Sequence, residues 1–167
     1  MFDLIKFNPR IWFSLGFISC FLMLSVGAYF QFVEEMEPCP LCISQRIAIL
    51  LTGIVFLIAA IHNPKACGIK VYSIIGTVTA LLGAAISIRH VWIQNLPADE
   101  IPECGPGLSY VFENFPLMDT IKLMFNGSGE CADILWTFLG ISIPGWTLVA
   151  FLGLATLSFF QQWNIAK

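Results

Sequence analysis

The chain alternates long uncharged blocks with short charged ones. No Asp, Glu, Lys or Arg occurs from Ile11 to Val33, from Ile47 to Pro64, from Val71 to Ile88 or from Ile134 to Ala166. A helix needs about 20 apolar residues to cross the hydrocarbon core of a bilayer. Ile11–Phe30, Ile43–Ile61, Ile69–Ile88 and Ile143–Trp163 meet that length. Helices are expected there because lipid offers backbone N–H and C=O groups no hydrogen-bonding partner. Lys6 and Arg10 precede the first block as they would in a signal peptide. Its apolar run is longer than a signal's core and no small-x-small site ends it, so it is read as a membrane helix. The segments between the blocks form two outer loops, 31–42 and 91–133. Pro97, Pro102, Gly105 and Pro106 break the first half of the longer one. In its second half, Pro116 is followed by Leu117, Ile121, Met124 and Phe125, the spacing of a short amphipathic helix. With Tyr110, Phe112 and Phe115 nearby, that helix is expected along the membrane surface; packing on the top of the bundle is the plainer alternative. The fold class predicted is all-α: one membrane domain over 1–167, a four-transmembrane-helix bundle with two outward-facing loops.

Composition agrees with a lipid-embedded chain. Of the 167 residues 57% are hydrophobic and 11% charged, with a mean hydropathy of +0.82. A soluble domain carries about 25% charged residues, so too few polar groups exist here to cover a water-facing surface. No basic patch for nucleic acid is present. The placement of charge orients the bundle. Lys6 and Arg10, Lys65 and Lys70, and Lys167 mark both termini and the middle loop as cytoplasmic. The outer loops are acidic: Glu34, Glu35 and Glu37 in the first, and seven acids against only Lys122 in the second.

That topology sorts the six cysteines. Cys20 falls in the first span and Cys67 in the cytoplasmic loop, where reduced, structural roles are expected. Cys39, Cys42, Cys104 and Cys131 face an oxidising compartment, where disulfides form and persist. Cys39 and Cys42 form a C-x-x-C at the outer start of the second span. So short a ring adds little stability, whereas a helix N-terminus favours a thiolate. Arg46 lies one turn after Cys42, on the same face, as an intramembrane charge. It is expected to stabilise a thiolate at Cys42 or to donate to a carbonyl oxygen of a bound cofactor; snorkelling to the headgroups is the bland alternative. Cys104 and Cys131 sit in turn-rich segments, where a structural staple is the default. With a C-x-x-C on the same membrane face, two pairs able to exchange would instead form a relay. A four-cysteine zinc site is disfavoured, because 26 residues separate Cys104 from Cys131, so no metal is expected.

The Cys39-Pro40-Leu41-Cys42 motif, the arginine a turn later and the paired loop cysteines resemble the DsbB disulfide-bond-formation proteins of bacteria. So do Ser128-Gly129-Glu130-Cys131-Ala132, Trp136, Phe138-Leu139-Gly140, Pro144 and Trp146. The resemblance covers almost the whole chain. It implies a multi-pass protein of the bacterial inner membrane that reoxidises a periplasmic DsbA-like thiol oxidase and passes two electrons to ubiquinone or menaquinone. It implies that Cys104 pairs with Cys131, that Cys104 meets the partner, and that Cys39 and Cys42 reoxidise the loop pair. Cys42 would then meet the quinone, Arg46 would match the family's quinone-site arginine, and His90 would lie near the quinone. A solvated interfacial histidine is the equal alternative for His90. Pro40 departs from the family's best-known member, which has an apolar β-branched residue there; a proline restricts the backbone and removes a donor.

Two other readings compete. Vitamin K epoxide reductase-type enzymes share four helices and a C-x-x-C, but theirs lies late in the chain and this one leads. A non-catalytic scaffold or transporter would carry plain structural disulfides; a transporter would more often show polar residues within its spans.

Overall fold

The computed structural model describes residues 8–97, 99–102 and 116–165. Cys104 lies outside the described residues, as do Lys6, Lys167, Tyr110, Phe112 and Phe115. Among the described residues, four helices are long and apolar enough to span a membrane. They are α1 (Pro9–Phe32), α2 (Pro40–His62), α3 (Ala66–Gln94) and α5 (Ile143–Ile165). A short helix, α4 (Leu117–Asn126), precedes a 3-10 turn at Gly129–Ala132. The chain is a four-span helical membrane bundle.

The helices overrun their apolar blocks for local reasons. α1 and α2 each begin on a proline, which suits a first helical position because its missing N–H would have no partner there. Asn8 caps α1 by accepting from the Arg10 N–H at 3.2 Å. α3 continues to Gln94, so Arg89 and His90 stand in regular helix and Val91–Gln94 do not belong to the loop. It ends where Asn95 Nδ2 donates to the Val91 carbonyl at 2.7 Å and Pro97 follows.

One departure from an all-helical reading is a two-stranded ladder, β1 (Thr137–Phe138) against β2 (Ile141–Ser142). The turn residues Leu139 and Gly140 both have positive φ, 54° and 77°, as a two-residue hairpin turn of the primed type requires. The hairpin leads directly into α5. Trp146 Nε1 donates to the Phe138 carbonyl at 3.1 Å, tying the hairpin to the first turn of that helix.

α1 packs on α2, α2 on α3, and α3 most extensively on α5. Lipid is as apolar as the helices, so association rests on close packing instead of water exclusion. Phe13, Phe56 and Phe151 are fully buried, and glycines make room for them. A Cβ on Gly16 would lie 2.6 Å from the Phe56 ring, and one on Gly83 2.3 Å from the Phe151 ring. Leu22, Leu82 and Phe160, by contrast, are exposed on the outside of the bundle, where lipid would meet them. Cys20 is buried in the core, but Cys67 is exposed, which removes a packing role for it.

Candidate functional site

The C-x-x-C is built by the start of α2. Cys39 is the N-cap residue, and its Sγ accepts from the Cys42 N–H at 3.4 Å. Pro40 is the first helical residue, so its role is to fix the φ that starts the helix. This places Cys42 in the first turn, with its sulfur 3.1 Å from that of Cys39. A disulfide needs about 2.03–2.05 Å, so bridging the pair takes only a small movement.

The outer loop brings a third sulfur to the same place. Cys131 is fully buried and packs in one cluster with Cys39, Leu41 and Ile93. Its sulfur is unbridged in this structure and packs against Cys39. The seat has identifiable causes. Ser44 Oγ donates to the Met124 carbonyl at 2.8 Å, and Arg89 Nη2 donates to the Asn126 carbonyl at 3.1 Å. Gly127 follows with a φ of +78°, and a Cβ there would meet Leu41 Cδ1 at 2.8 Å. Only glycine combines that backbone with that approach. The Cys131 N–H then bonds the Ser128 carbonyl at 2.9 Å, closing the 3-10 turn.

These contacts set the charge preferences of the two sulfurs outside the spans. The Cys39 thiol donating to Cys131, helped by the Leu41 and Ser128 N–H groups, pulls Cys131 down to about 6 against the opposing cost of burial. The same hydrogen bond to Cys131, together with that to Cys42 and with burial, pushes Cys39 far up. Of this facing pair, the contacts favour the charged form at Cys131 and the protonated form at Cys39.

His90 is buried at 2% exposure, which excludes the solvated interfacial histidine considered from the sequence. Its Nε2 lies 3.7 Å from Cys39 Sγ and its Nδ1 3.4 Å from the Gln45 side-chain amide. It therefore faces the sulfurs. Arg46 does not snorkel. It reaches across to α1, where Nη2 donates to the Gly27 carbonyl at 2.8 Å and Nη1 donates to the Gln31 side-chain oxygen.

Two cavities meet at the C-x-x-C. An apolar cavity of about 330 Å³ lies between α1, α2 and the start of α5. Cys42, Gln45 and Arg46 are set in a wall of Val26, Phe30, Trp146 and Ala150. An outer cavity of about 450 Å³ is lined by Cys39, Cys42 and His90 together with Glu35, Glu37, Glu130 and Asp133. Cys42 lines both. His90 lines the outer one and is not among the residues lining the apolar one.

Sequence reasoning missed Gln45, Gln31 and Gly27 as partners of His90 and Arg46. Ser44 and Gln45 were visible as polar interruptions at the head of an apolar span, the one signal that marks such sites. Nothing local marked Gly27. The aromatic wall at the hairpin, with Trp136 stacked on Phe138 at 6.0 Å, gives a structural place to residues noted only as part of a resemblance.

A sequence model of the family described as disulfide bond formation protein DsbB matches residues 9–161. The chain is similar to the disulfide bond formation protein B of Nitrosococcus oceani, with 57% identity over 157 residues, 94% of this chain and 93% of that protein. It is likewise 57% identical to that of Methylococcus capsulatus over 160 residues, 96% of this chain and 98% of that protein. The protein of the same description from Hahella chejuensis is 52% identical over 153 residues, 92% of each chain.

Proposed function

The chain belongs to the DsbB family of membrane disulfide bond formation proteins, and on that premise we propose that it is a thiol:quinone oxidoreductase of the bacterial inner membrane. It takes two electrons from a reduced periplasmic dithiol oxidase of the DsbA type and passes them to ubiquinone or menaquinone. Both termini lie in the cytoplasm in this reading, which the lysine and arginine placement supports.

One observation carries this reading: Cys42 lines both the acidic outer cavity and the apolar cavity between the spans. A sulfur pair in that wall accepts electrons from one side and gives them up on the other. By the family resemblance, Cys104 would meet the reduced partner and bridge to Cys131 in the oxidised chain; the unbridged Cys131 seated against Cys39 then corresponds to the form released by the partner. Exchange then transfers the electrons inward. A Cys131 thiolate attacks a sulfur of the Cys39–Cys42 bridge, and the Cys42 thiolate leaves. Cys39 faces Cys131, which makes Cys39 the sulfur attacked. The partner is a strong oxidant, so its electrons need an acceptor more oxidising still.

The apolar cavity fits a quinone ring by its chemistry. Its walls are largely apolar, with Glu37 and Thr147 among them, and Arg46 brings donors beyond the two already engaged on α1. Cys42 and Arg46 would hold the ring, and Gln45 would complete the polar edge. A bound quinone supplies the capacity to accept two electrons. The chain's own part is placement: Arg46 stabilises developing negative charge in a low-dielectric site, and α1 fixes Arg46. His90 acts here through the sulfurs it faces.

The scaffold reading predicts no bound quinone. The test is purification of the full chain in detergent without reductant, followed by solvent extraction. Quinone is expected with the wild-type chain and is lost from Ala150→Trp, which fills the apolar cavity, while that variant keeps its thiol count. A wild-type preparation free of quinone that also fails to take up added quinone would overturn the proposal.

A further inference from the structure

We propose that the reduced form of this chain binds one zinc ion through Cys39, Cys42 and His90, and that the bound ion holds the sulfur pair reduced. The ligand atoms of these three residues all lie within 4.8 Å of one another. Cys39 Sγ is 3.1 Å from Cys42 Sγ and 3.7 Å from His90 Nε2. Around a tetrahedral zinc with ordinary bond lengths, sulfur–sulfur and sulfur–nitrogen edges are about 3.8 and about 3.6 Å. To admit the ion the two sulfurs part by a fraction of an ångström, and the Cys42 sulfur and the His90 ring nitrogen, within 4.8 Å of each other, settle at about 3.6 Å. Two thiolates and an imidazole are the donor set that zinc selects, and three protein ligands leave a fourth position open.

The surroundings favour a cation independently of the triad. Glu35, Glu37, Glu130 and Asp133 line the outer cavity that Cys39, Cys42 and His90 also line. Carboxylates grouped in a concave site raise the local concentration of divalent cations and supply an entry path. An outer contact is also present: His90 Nδ1 meets the Gln45 amide at 3.4 Å. Coordination through Nε2 puts the ring proton on Nδ1, and the Gln45 amide then turns to present its oxygen.

No electrons move in the binding step. Zinc enters as Zn²⁺, two Zn–S bonds form, and the two thiols release two protons to solvent. Oxidation to the Cys39–Cys42 bridge removes both thiolate ligands, so the ion and the disulfide exclude each other. Binding stands on the triad's geometry alone; its effect on turnover rests on the relay proposed above.

The test is a zinc titration of the full chain in detergent, reduced and freed of reductant, with a chromophoric chelator as competitor. One zinc per reduced chain is expected, and none in the oxidised chain. His90→Ala should weaken binding at least about tenfold, and Gln45→Leu roughly 10- to 100-fold as an outer-shell partner. Cys67→Ser should leave it unchanged. Cobalt in place of zinc should show thiolate charge-transfer bands together with the d–d bands of a tetrahedral site. Those bands report ligation directly, even if a variant is less stable. Equal binding by oxidised and reduced chains, affinity indifferent to His90, or no binding at all would each overturn the site. None of these results depends on quinone reduction, so the site and the relay can fail separately.

Discussion

Gly127 is the residue on which the seating of Cys131 most depends. Replacing it by alanine puts a Cβ on a backbone with φ of +78°, 2.8 Å from Leu41 Cδ1 and 2.9 Å from Ile93 Cδ1. The left-handed conformation costs an L residue roughly 1–2 kcal/mol. Crowding two methyl groups adds roughly 1 kcal/mol, part of it relieved by rotation of Leu41. A total of roughly 2–3 kcal/mol corresponds to a loss of roughly 30- to 140-fold in the conformation that holds Cys131 against Cys39, at tenfold per 1.4 kcal/mol. The assay uses a chain in which Cys42, Cys67 and Cys104 are serine, leaving Cys39 and Cys131 as the facing pair. Diamide is added to the reduced protein, and the Cys39–Cys131 bridge is followed by peptide mass after proteolysis. Bridging should be fast in this background and at least about tenfold slower with Gly127→Ala. If the two rates agree within about twofold, the loop does not deliver Cys131 in the way described.

Four further outcomes follow from the structure. Arg46→Ala should raise the KM for quinone about 10- to 100-fold, the equivalent of one charge-assisted hydrogen bond, and leave Cys39–Cys131 exchange largely intact; steady-state kinetics over a quinone series separates the two. In the fully reduced protein, one thiolate should titrate by ultraviolet absorbance with a midpoint of about 6, vanish in Cys131→Ser, and move up in Cys39→Ala. Because the folded value lies below the unfolded one, this group's stabilising effect is present above the unfolded thiol range and is lost as pH falls toward 6; melting of the reduced chain should show that slope, and Cys131→Ser should flatten it. Phe151→Ala opens a hole against Gly83 in the α3–α5 contact, and with no water-exclusion contribution in lipid the cavity alone costs roughly 2 kcal/mol, readable as a lower detergent melting temperature.

The spans were legible because lipid imposes one rule on all of them: few charges and about 20 apolar residues. Their ends were less so. Apolar blocks stop where charge begins, but α3 runs on through Arg89 and His90 because a helix tolerates polar residues once it leaves the hydrocarbon. The C-x-x-C and Arg46 were legible because helix periodicity puts Cys42 and Arg46 on one face. Where Arg46 points was not, since Gly27 and Gln31 belong to another helix and only packing brings them within reach. Pro40 stood out as a departure from the family's best-known member, and it sits where any helix accepts a proline. The burial of His90 against Cys39 depends on α2 and α3 lying side by side, a relation no short window of sequence contains. The hairpin at Leu139-Gly140 was hidden because a leucine at positive φ contradicts the usual turn signature.

The wall position of Cys42 is most directly tested by electron transfer itself. Reduced DsbA-type partner is mixed with the full chain in lipid containing ubiquinone, and quinone loss is followed by absorbance. The wild-type chain should consume one quinone for each partner dithiol oxidised, and Cys42→Ser should consume none while still forming a mixed disulfide with the partner. Sustained quinone-linked oxidation of the partner by Cys42→Ser would contradict it.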